Sequence, residues 1–100
     1  MARAAALAIG LILVAGAPAR AQAPLAAQGC LGCHGPGGTG STPIAALAGR
    51  PAADLVAAMD AFRAGTRPAT IMNRIAKGYT DAEIAAMAAY FAGLPAGGAR

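Results

Sequence analysis

The chain has 100 residues, of which 57% are hydrophobic but only 4% are aromatic, and it contains no Trp. A chain of this size forms one small domain at most, and its alanine-rich core is so thin that we expect a bound cofactor to complete it. The formal net charge of +4 falls by two without Arg3 and Arg20 of the N-terminal segment. This low charge, with so few aromatic residues, argues against nucleic-acid binding.

Residues 1–21 have the features of a cleavable secretion signal peptide. Arg3 supplies the positive start, and residues 4–15 are apolar but too short to span a bilayer comfortably. Small residues at Ala19 and Ala21 offer a cleavage site, and an uncleaved membrane anchor is the alternative. We expect cleavage after Ala21, export to the periplasm, and a mature domain of residues 22–100 without a stable membrane span.

The next pattern is a C-x-x-C-H motif at residues 30–34, at the end of a short predicted helix that Pro24 opens. Two thiols one helical turn apart, followed by an imidazole, suit covalent haem attachment through Cys30 and Cys33, with His34 as the proximal iron ligand. A structural zinc site would need four ligands, and the chain has only two Cys and one His. A dithiol redox motif would normally open a helix among strand-like runs, and the sequence has none. We therefore predict one covalent haem c.

Two longer helices are predicted after the motif. The first begins at Pro51 and ends before Gly65, and the second begins at a capping box formed by Thr80 and Glu83. Apolar residues repeat at helical spacing in both: Leu55, Val56, Met59, Phe62, Ile84, Met87, Phe91 and Leu94. Glycine-rich residues 35–40 forbid a regular element, and nothing alternates at period two for long enough to form a strand. The predicted fold is all-α, with about three to four helices around the haem.

The second axial ligand of the iron can be sought among the methionines, because the chain has no second His. Met1 leaves with the signal peptide, and Met59 and Met87 fall in the apolar stripes of the two longer helices, as core residues do. This leaves Met72, which follows a Gly/Pro break, as the predicted distal ligand carried by a loop. The alternative is that Met72 packs as a hydrophobe and the distal face is open or bound by Lys77.

A proximal His needs an acceptor for its other ring nitrogen. Pro43 stands nine residues after His34, and we expect its carbonyl to accept this hydrogen bond while its ring packs on the porphyrin. The alternative is an ordinary turn proline, because Ser41-Thr42-Pro43 is also common turn chemistry.

Basic residues are expected to gather near the distal ligand: Arg63, Arg67, Arg74 and Lys77. They would form a positive rim around an exposed haem edge and steer an acidic partner, and the alternative is an ordinary solvated surface.

Three stretches carry a family resemblance: Cys30-Leu31-Gly32-Cys33-His34-Gly35, then Leu47-Ala48-Gly49-Arg50, then Met72 with the helix that ends at Tyr90-Phe91. Together they resemble a class I c-type cytochrome over essentially the whole mature chain. Within that class, residues 67–81 are similar to the cytochrome subunit of flavocytochrome c sulfide dehydrogenases. In looser form the same pattern is found in small soluble cytochromes that feed terminal oxidases. One departure is that Ala45 stands where the family often has a proline.

The resemblance implies a class I cytochrome c fold with Cys30 and Cys33 as thioether attachments, His34 as proximal ligand and Met72 as distal ligand. It also implies docking on a flavoprotein that draws electrons from sulfide, with no catalysis by this chain alone. A free-standing periplasmic carrier that serves other redox proteins is the second hypothesis. A haem sensor or catalyst with an open distal face is the third.

Overall fold

The computed structural model describes residues 22–96, so the expected signal peptide lies outside the described residues. Within this range the chain forms four α-helices: α1 Leu25–His34, α2 Ala52–Ala64, α3 Met72–Ile75 and α4 Asp81–Ala92. Short 3-10 helices span Pro36–Gly38 and Ala76–Gly78. Across the described residues, β-type pairing is limited to an isolated bridge between Ser41 and Ile44. The prediction of a small all-α fold with three to four helices is confirmed.

Local signals explain where the three longer helices begin and end. Pro24 and Pro51 stand at the N-caps of α1 and α2, and Gly65 ends α2 in a left-handed conformation with a φ of 73°. At α4 the Thr80 Oγ1 accepts the Glu83 N–H, and the Glu83 side chain accepts the Thr80 N–H, each at 3.1 Å. The predicted capping box is therefore present.

The core lies where α1, α2 and α4 meet. Met59 and Met87 are 4% and 2% exposed, so their predicted place in the core is confirmed. Val56 and Phe62 of the predicted α2 stripe are only partly buried and pack against this core. The buried cluster consists of Ala27, Leu47, Leu55, Met59, Ala76, Ile84, Met87, Ala88 and Phe91. Five of these nine residues occupy predicted apolar positions of α2 and α4: Leu55, Met59, Ile84, Met87 and Phe91. Three are alanines, which allow the elements to approach closely, and Leu47 lies outside the helices.

Two connecting segments flank this core. We call residues 35–50, which follow the motif, the proximal segment, and residues 65–80, which carry Met72, the distal segment. The proximal segment is tied to α4, because the Gly49 N–H donates to the Phe91 carbonyl at 2.9 Å. It also approaches α4 at Gly38, where an added Cβ would lie 2.5 Å from the Phe91 ring. Only a glycine allows this contact.

Candidate functional site

The three residues of the motif lie on one helix. Cys30, Cys33 and His34 belong to the last part of α1, so the two thiols are separated by about one turn, as the spacing predicts. Cys30 and His34 are half-buried and Cys33 is exposed. The helix ends directly after His34, where the Gly35 N–H donates to the Leu31 carbonyl at 3.0 Å.

Tyr79 contacts the motif from the far end of the distal segment. Burial raises the pKa of the Cys30 thiol, and a hydrogen bond with the Tyr79 hydroxyl opposes this rise. The pKa of Tyr79 is raised as well, first by burial and then by Cys30. Gly29 makes room for the ring, since a Cβ at this position would lie 2.9 Å from the Tyr79 hydroxyl oxygen. Sequence reasoning missed Tyr79, and the small residue before Cys30 was the available signal.

The imidazole of His34 is held by a backbone carbonyl. Its Nδ1 lies 2.6 Å from the Ala45 carbonyl oxygen. Because a carbonyl can only accept, this contact assigns the proton to Nδ1 and leaves the lone pair of Nε2 free for a metal. The arrangement is the one that a His ligand to iron needs.

The expectation that the Pro43 carbonyl would accept this hydrogen bond is wrong. Ser41 and Ile44 pair with each other through their backbone groups, which places Pro43 at the exposed tip of a turn. The chain then returns toward α1, and Ala45 is the residue whose carbonyl meets His34. No local pattern in the sequence singled out Ala45, because the turn at Ser41 and Ile44 decides which carbonyl returns to α1.

Gly40 lies against the Ala45 carbonyl and so helps to position the hydrogen bond to His34. Its N–H donates to the His34 carbonyl at 2.6 Å, and its φ is 79°. A Cβ at this position would lie 2.7 Å from the Ala46 nitrogen and 3.0 Å from the Ala45 carbonyl carbon. A side chain at position 40 would therefore displace the carbonyl that holds His34.

Met72 lies in the distal segment as the first residue of α3, and so on a short helical turn and not on the expected irregular loop. It is half-buried and packs against the same core as Cys30 and Leu31. Next to it, the Oδ1 of Asn73 is buried without a hydrogen-bond partner among the described residues. A buried polar atom of this kind is expected where a polar group of a ligand completes a site.

The donor set and its surroundings fit a haem. Two thiols, an imidazole with a free Nε2 and a thioether are the groups that attach and ligate a haem of the c type. Exposed apolar side chains stand near Met72 in the chain, at Ile71 and Ile75, and another stands at Ile44, next to the Ala45 that holds His34. Ile71 is 56% exposed, and a flat apolar cofactor would cover residues of this kind.

The expected basic rim is smaller than predicted, because Arg63 is not a free cation. Its Nη2 forms ion pairs with Asp60 at 2.7 Å and with Asp81 at 2.5 Å. These hydrogen bonds, that of Asp81 first, raise the pKa of the Arg63 guanidinium. Arg67 lies 5.0 Å from the centre of the Phe62 ring. The exposed basic residues of the distal segment are Arg67, Arg74 and Lys77.

Comparison with known proteins places this site in a family. The model of the family described as cytochrome c matches residues 19–95. The chain is 42% identical over 65 residues to the cytochrome subunit of sulfide dehydrogenase of Chlorobaculum tepidum, a match that covers 65% of this chain and 59% of that protein. It is 42% identical over 69 residues to the thiosulfate dehydrogenase electron acceptor of Stutzerimonas stutzeri, covering 65% of this chain and 32% of that protein.

The match covers a larger share of a third relative. Cytochrome c-554(548) of Halomonas halodenitrificans is 39% identical over 66 residues, which cover 62% of this chain and 80% of that protein. By contrast, the chain spans less than two thirds of the sulfide dehydrogenase and thiosulfate dehydrogenase relatives. The family match includes the motif, the proximal segment and the segment of Met72. This chain therefore belongs to the cytochrome c family.

Proposed function

We propose that this protein transfers electrons through a single haem c, as the cytochrome subunit of a sulfide-oxidising flavocytochrome c in the periplasm. Membership of the cytochrome c family implies a covalently bound haem c and electron transfer. The observation that carries the proposal is the hydrogen bond from His34 Nδ1 to the Ala45 carbonyl, because it prepares Nε2 as an iron ligand directly beside the two thiols.

Each residue of the site has a defined task in this proposal. Cys30 and Cys33 would hold the haem through thioether bonds, and His34 and Met72 would be the two protein ligands of its iron. The bound haem supplies a one-electron couple whose potential its axial ligands set. Pro43 contributes its exposed ring to the proximal face, and its carbonyl has no part in holding His34.

The exposed charges of the distal segment suit a redox partner with an acidic docking surface. Arg67, Arg74 and Lys77 are exposed, and residues 65–80 contain no acidic residue to offset them. Complementary charge of this kind raises the rate of encounter more than the strength of the finished complex. The name of the Chlorobaculum relative supports a sulfide dehydrogenase as the assembly, and we propose its flavoprotein as the partner.

Export to the periplasm is part of the proposal and rests on the signal-peptide features of residues 1–21. Among the helices of residues 22–96, none is long and apolar enough to cross a membrane.

A free-standing periplasmic carrier is the second candidate. The specific observation in its favour is the Halomonas relative, whose name mentions no dehydrogenase and of which 80% is covered by the match. A carrier needs a weak contact that releases quickly, whereas a subunit needs a persistent apolar docking face.

Purification of the native protein tests the proposal. After acid–organic extraction the polypeptide should keep the mass of one haem, and Cys30→Ser and Cys33→Ser should weaken this attachment. In moderate salt the cytochrome should elute with a flavoprotein, and sulfide should reduce the haem only when that flavoprotein is present. Elution as a lone monomer without flavin or sulfide-dependent reduction would favour the free-standing carrier, and loss of intact haem on extraction would exclude both.

A further inference from the structure

Arg63 joins the two ends of the distal segment. It lies in the last turn of α2, directly before residues 65–80 begin. Its Nη2 binds Asp60 on its own helix and Asp81, the first residue of α4, and its Nη1 donates to the Tyr79 carbonyl at 3.3 Å. We call this set of contacts the Arg63 clamp. It connects the helix before the distal segment with the residues that end it.

The other contacts at the start of the distal segment do not reach its far end. Gly65 ends α2 through backbone hydrogen bonds, and Thr66 bonds the Ala61 carbonyl through its N–H at 3.0 Å and its hydroxyl at 3.3 Å. The guanidinium of Arg67 stacks on the ring of Phe62, which belongs to α2. These contacts hold the first residues of the segment on α2, and Arg63 is the side chain there that also contacts Tyr79 and Asp81.

The position of the clamp matters because Met72 lies midway between its two ends. A segment of this length with its ends free samples many conformations, and bringing the ends together removes part of that freedom. The carbonyl of Tyr79 accepts the hydrogen bond from Arg63, and its hydroxyl oxygen lies beside α1 at Gly29, 2.9 Å from where a Cβ would stand. The clamp therefore restrains the segment relative to α2, and Tyr79 restrains it relative to the motif helix.

We propose that Arg63 is a positioning residue that keeps Met72 on the haem iron by holding both ends of the distal segment together. This inference rests on the proposed His34 and Met72 ligation. In this role Arg63 acts through its contacts with Asp60, Tyr79 and Asp81 and needs no contact with the haem. It lowers the frequency of local opening, which is the motion that would release the thioether from the iron.

Binding of imidazole to the ferric haem protein measures this opening. At saturating imidazole the observed rate of imidazole binding becomes limited by the release of Met72 from the iron. The measurement is made under conditions in which the protein stays folded. Because partly exposed ion pairs have modest effects, we expect Arg63→Ala to raise this limiting rate about threefold to tenfold. Arg63→Lys should give a limiting rate between those of the wild type and Arg63→Ala, because a single ammonium cannot bind Asp60, Asp81 and the Tyr79 carbonyl as the guanidinium does. Arg67→Ala is the matched control, since Arg67 stacks on α2 without reaching α4.

The possible outcomes separate the clamp from the ligation. If the wild-type ferric protein lacks the thioether–iron absorption, the Met72 ligation fails and the inference fails with it. If the absorption is present but folded Arg63→Ala keeps the wild-type limiting rate, or Arg67→Ala raises it equally, the clamp alone is overturned. Should Arg63→Ala not fold, Asp81→Asn provides the same measurement, because the Asp81 side chain is 89% exposed and its loss removes one arm of the clamp. We expect a rise of about twofold for Asp81→Asn, and an unchanged rate would again overturn the clamp.

Discussion

The proximal and distal segments are held in place by different kinds of interaction. In the proximal segment, backbone groups bond other backbone groups, as where the Leu47 and Ala48 N–H groups donate to the Gly38 carbonyl at 2.8 and 3.1 Å. In the distal segment, backbone hydrogen bonds hold the first residues on α2, and side chains tie its far end, as in the Arg63 clamp and the Thr80 cap. The first segment therefore depends on close approach at glycines, and the second depends on charge and on capping.

This difference matches what each segment has to do in the proposed site. The proximal segment positions one carbonyl to within hydrogen-bond distance of His34, which requires a backbone that cannot shift. The distal segment presents a thioether on a short helix, and side-chain ties can be adjusted there without rebuilding the backbone. We expect steric changes to damage the proximal segment most, and changes of charge or capping to act mainly on the distal one.

The largest effect is expected from the distal ligand itself. Met72→Ala should abolish the thioether–iron absorption of the ferric protein and lower its reduction potential by on the order of 0.1 V, because axial ligands dominate the potential. Potentiometry and the visible spectrum would measure both. Met87→Ala is the control, because Met87 is buried in the core and its loss should cost about 2–5 kcal/mol of stability while the absorption remains. Loss of the absorption in Met87→Ala instead would show that Met72 is not the ligand.

A steric change at Gly40 should have the next largest effect. Gly40→Ala places a Cβ against Ala45 and Ala46 and also strains a backbone with a positive φ. We expect the strain to cost about 1–2 kcal/mol and the close contact to add about 1–3 kcal/mol. The potential should also rise, because a weaker hydrogen bond at Nδ1 makes His34 a poorer donor to the iron.

Gly37→Ala separates the cost of backbone strain from the cost of the close contact. Gly37 also has a positive φ, of 65°, but a Cβ there meets no atom within 4 Å. Denaturant unfolding should therefore show the cost of strain alone in Gly37→Ala, with an unchanged potential. Equal losses and equal potentials in the two variants would contradict the proposed support of the Ala45 carbonyl by Gly40.

The smallest effect is expected from the cap of α4. Thr80→Ala removes the side-chain oxygen that accepts the Glu83 N–H, and loss of such a cap costs about 1 kcal/mol. Thr70→Ala, an exposed position of the same segment, serves as the control and should leave the denaturant midpoint nearly unchanged. An equal shift of the midpoint in both variants would show that the cap does not stabilise the end of the distal segment.

The sequence alone was sufficient for features that depend on neighbours along the chain. Pro51, Gly65 and the Thr80 capping box set the ends of α2 and α4 through local backbone geometry, and these signals act wherever the helix lies. The motif likewise needs only the spacing of Cys30 and Cys33 on one helix. The core positions of Met59 and Met87 followed from helical periodicity.

Only the tertiary structure decided which groups meet across the fold. Ala45 rather than Pro43 accepts the His34 hydrogen bond because a turn at Ser41–Ile44 reverses the chain, and the length of that turn determines which carbonyl returns to α1. Arg63 is not part of the expected basic rim, because it pairs with Asp81, 18 positions further along the chain. This pairing is possible because Asp81 begins α4, which packs against α2. Helical signals describe the neighbours of a residue in its own turn, whereas these partners depend on how separate elements pack, and so no local pattern specifies them.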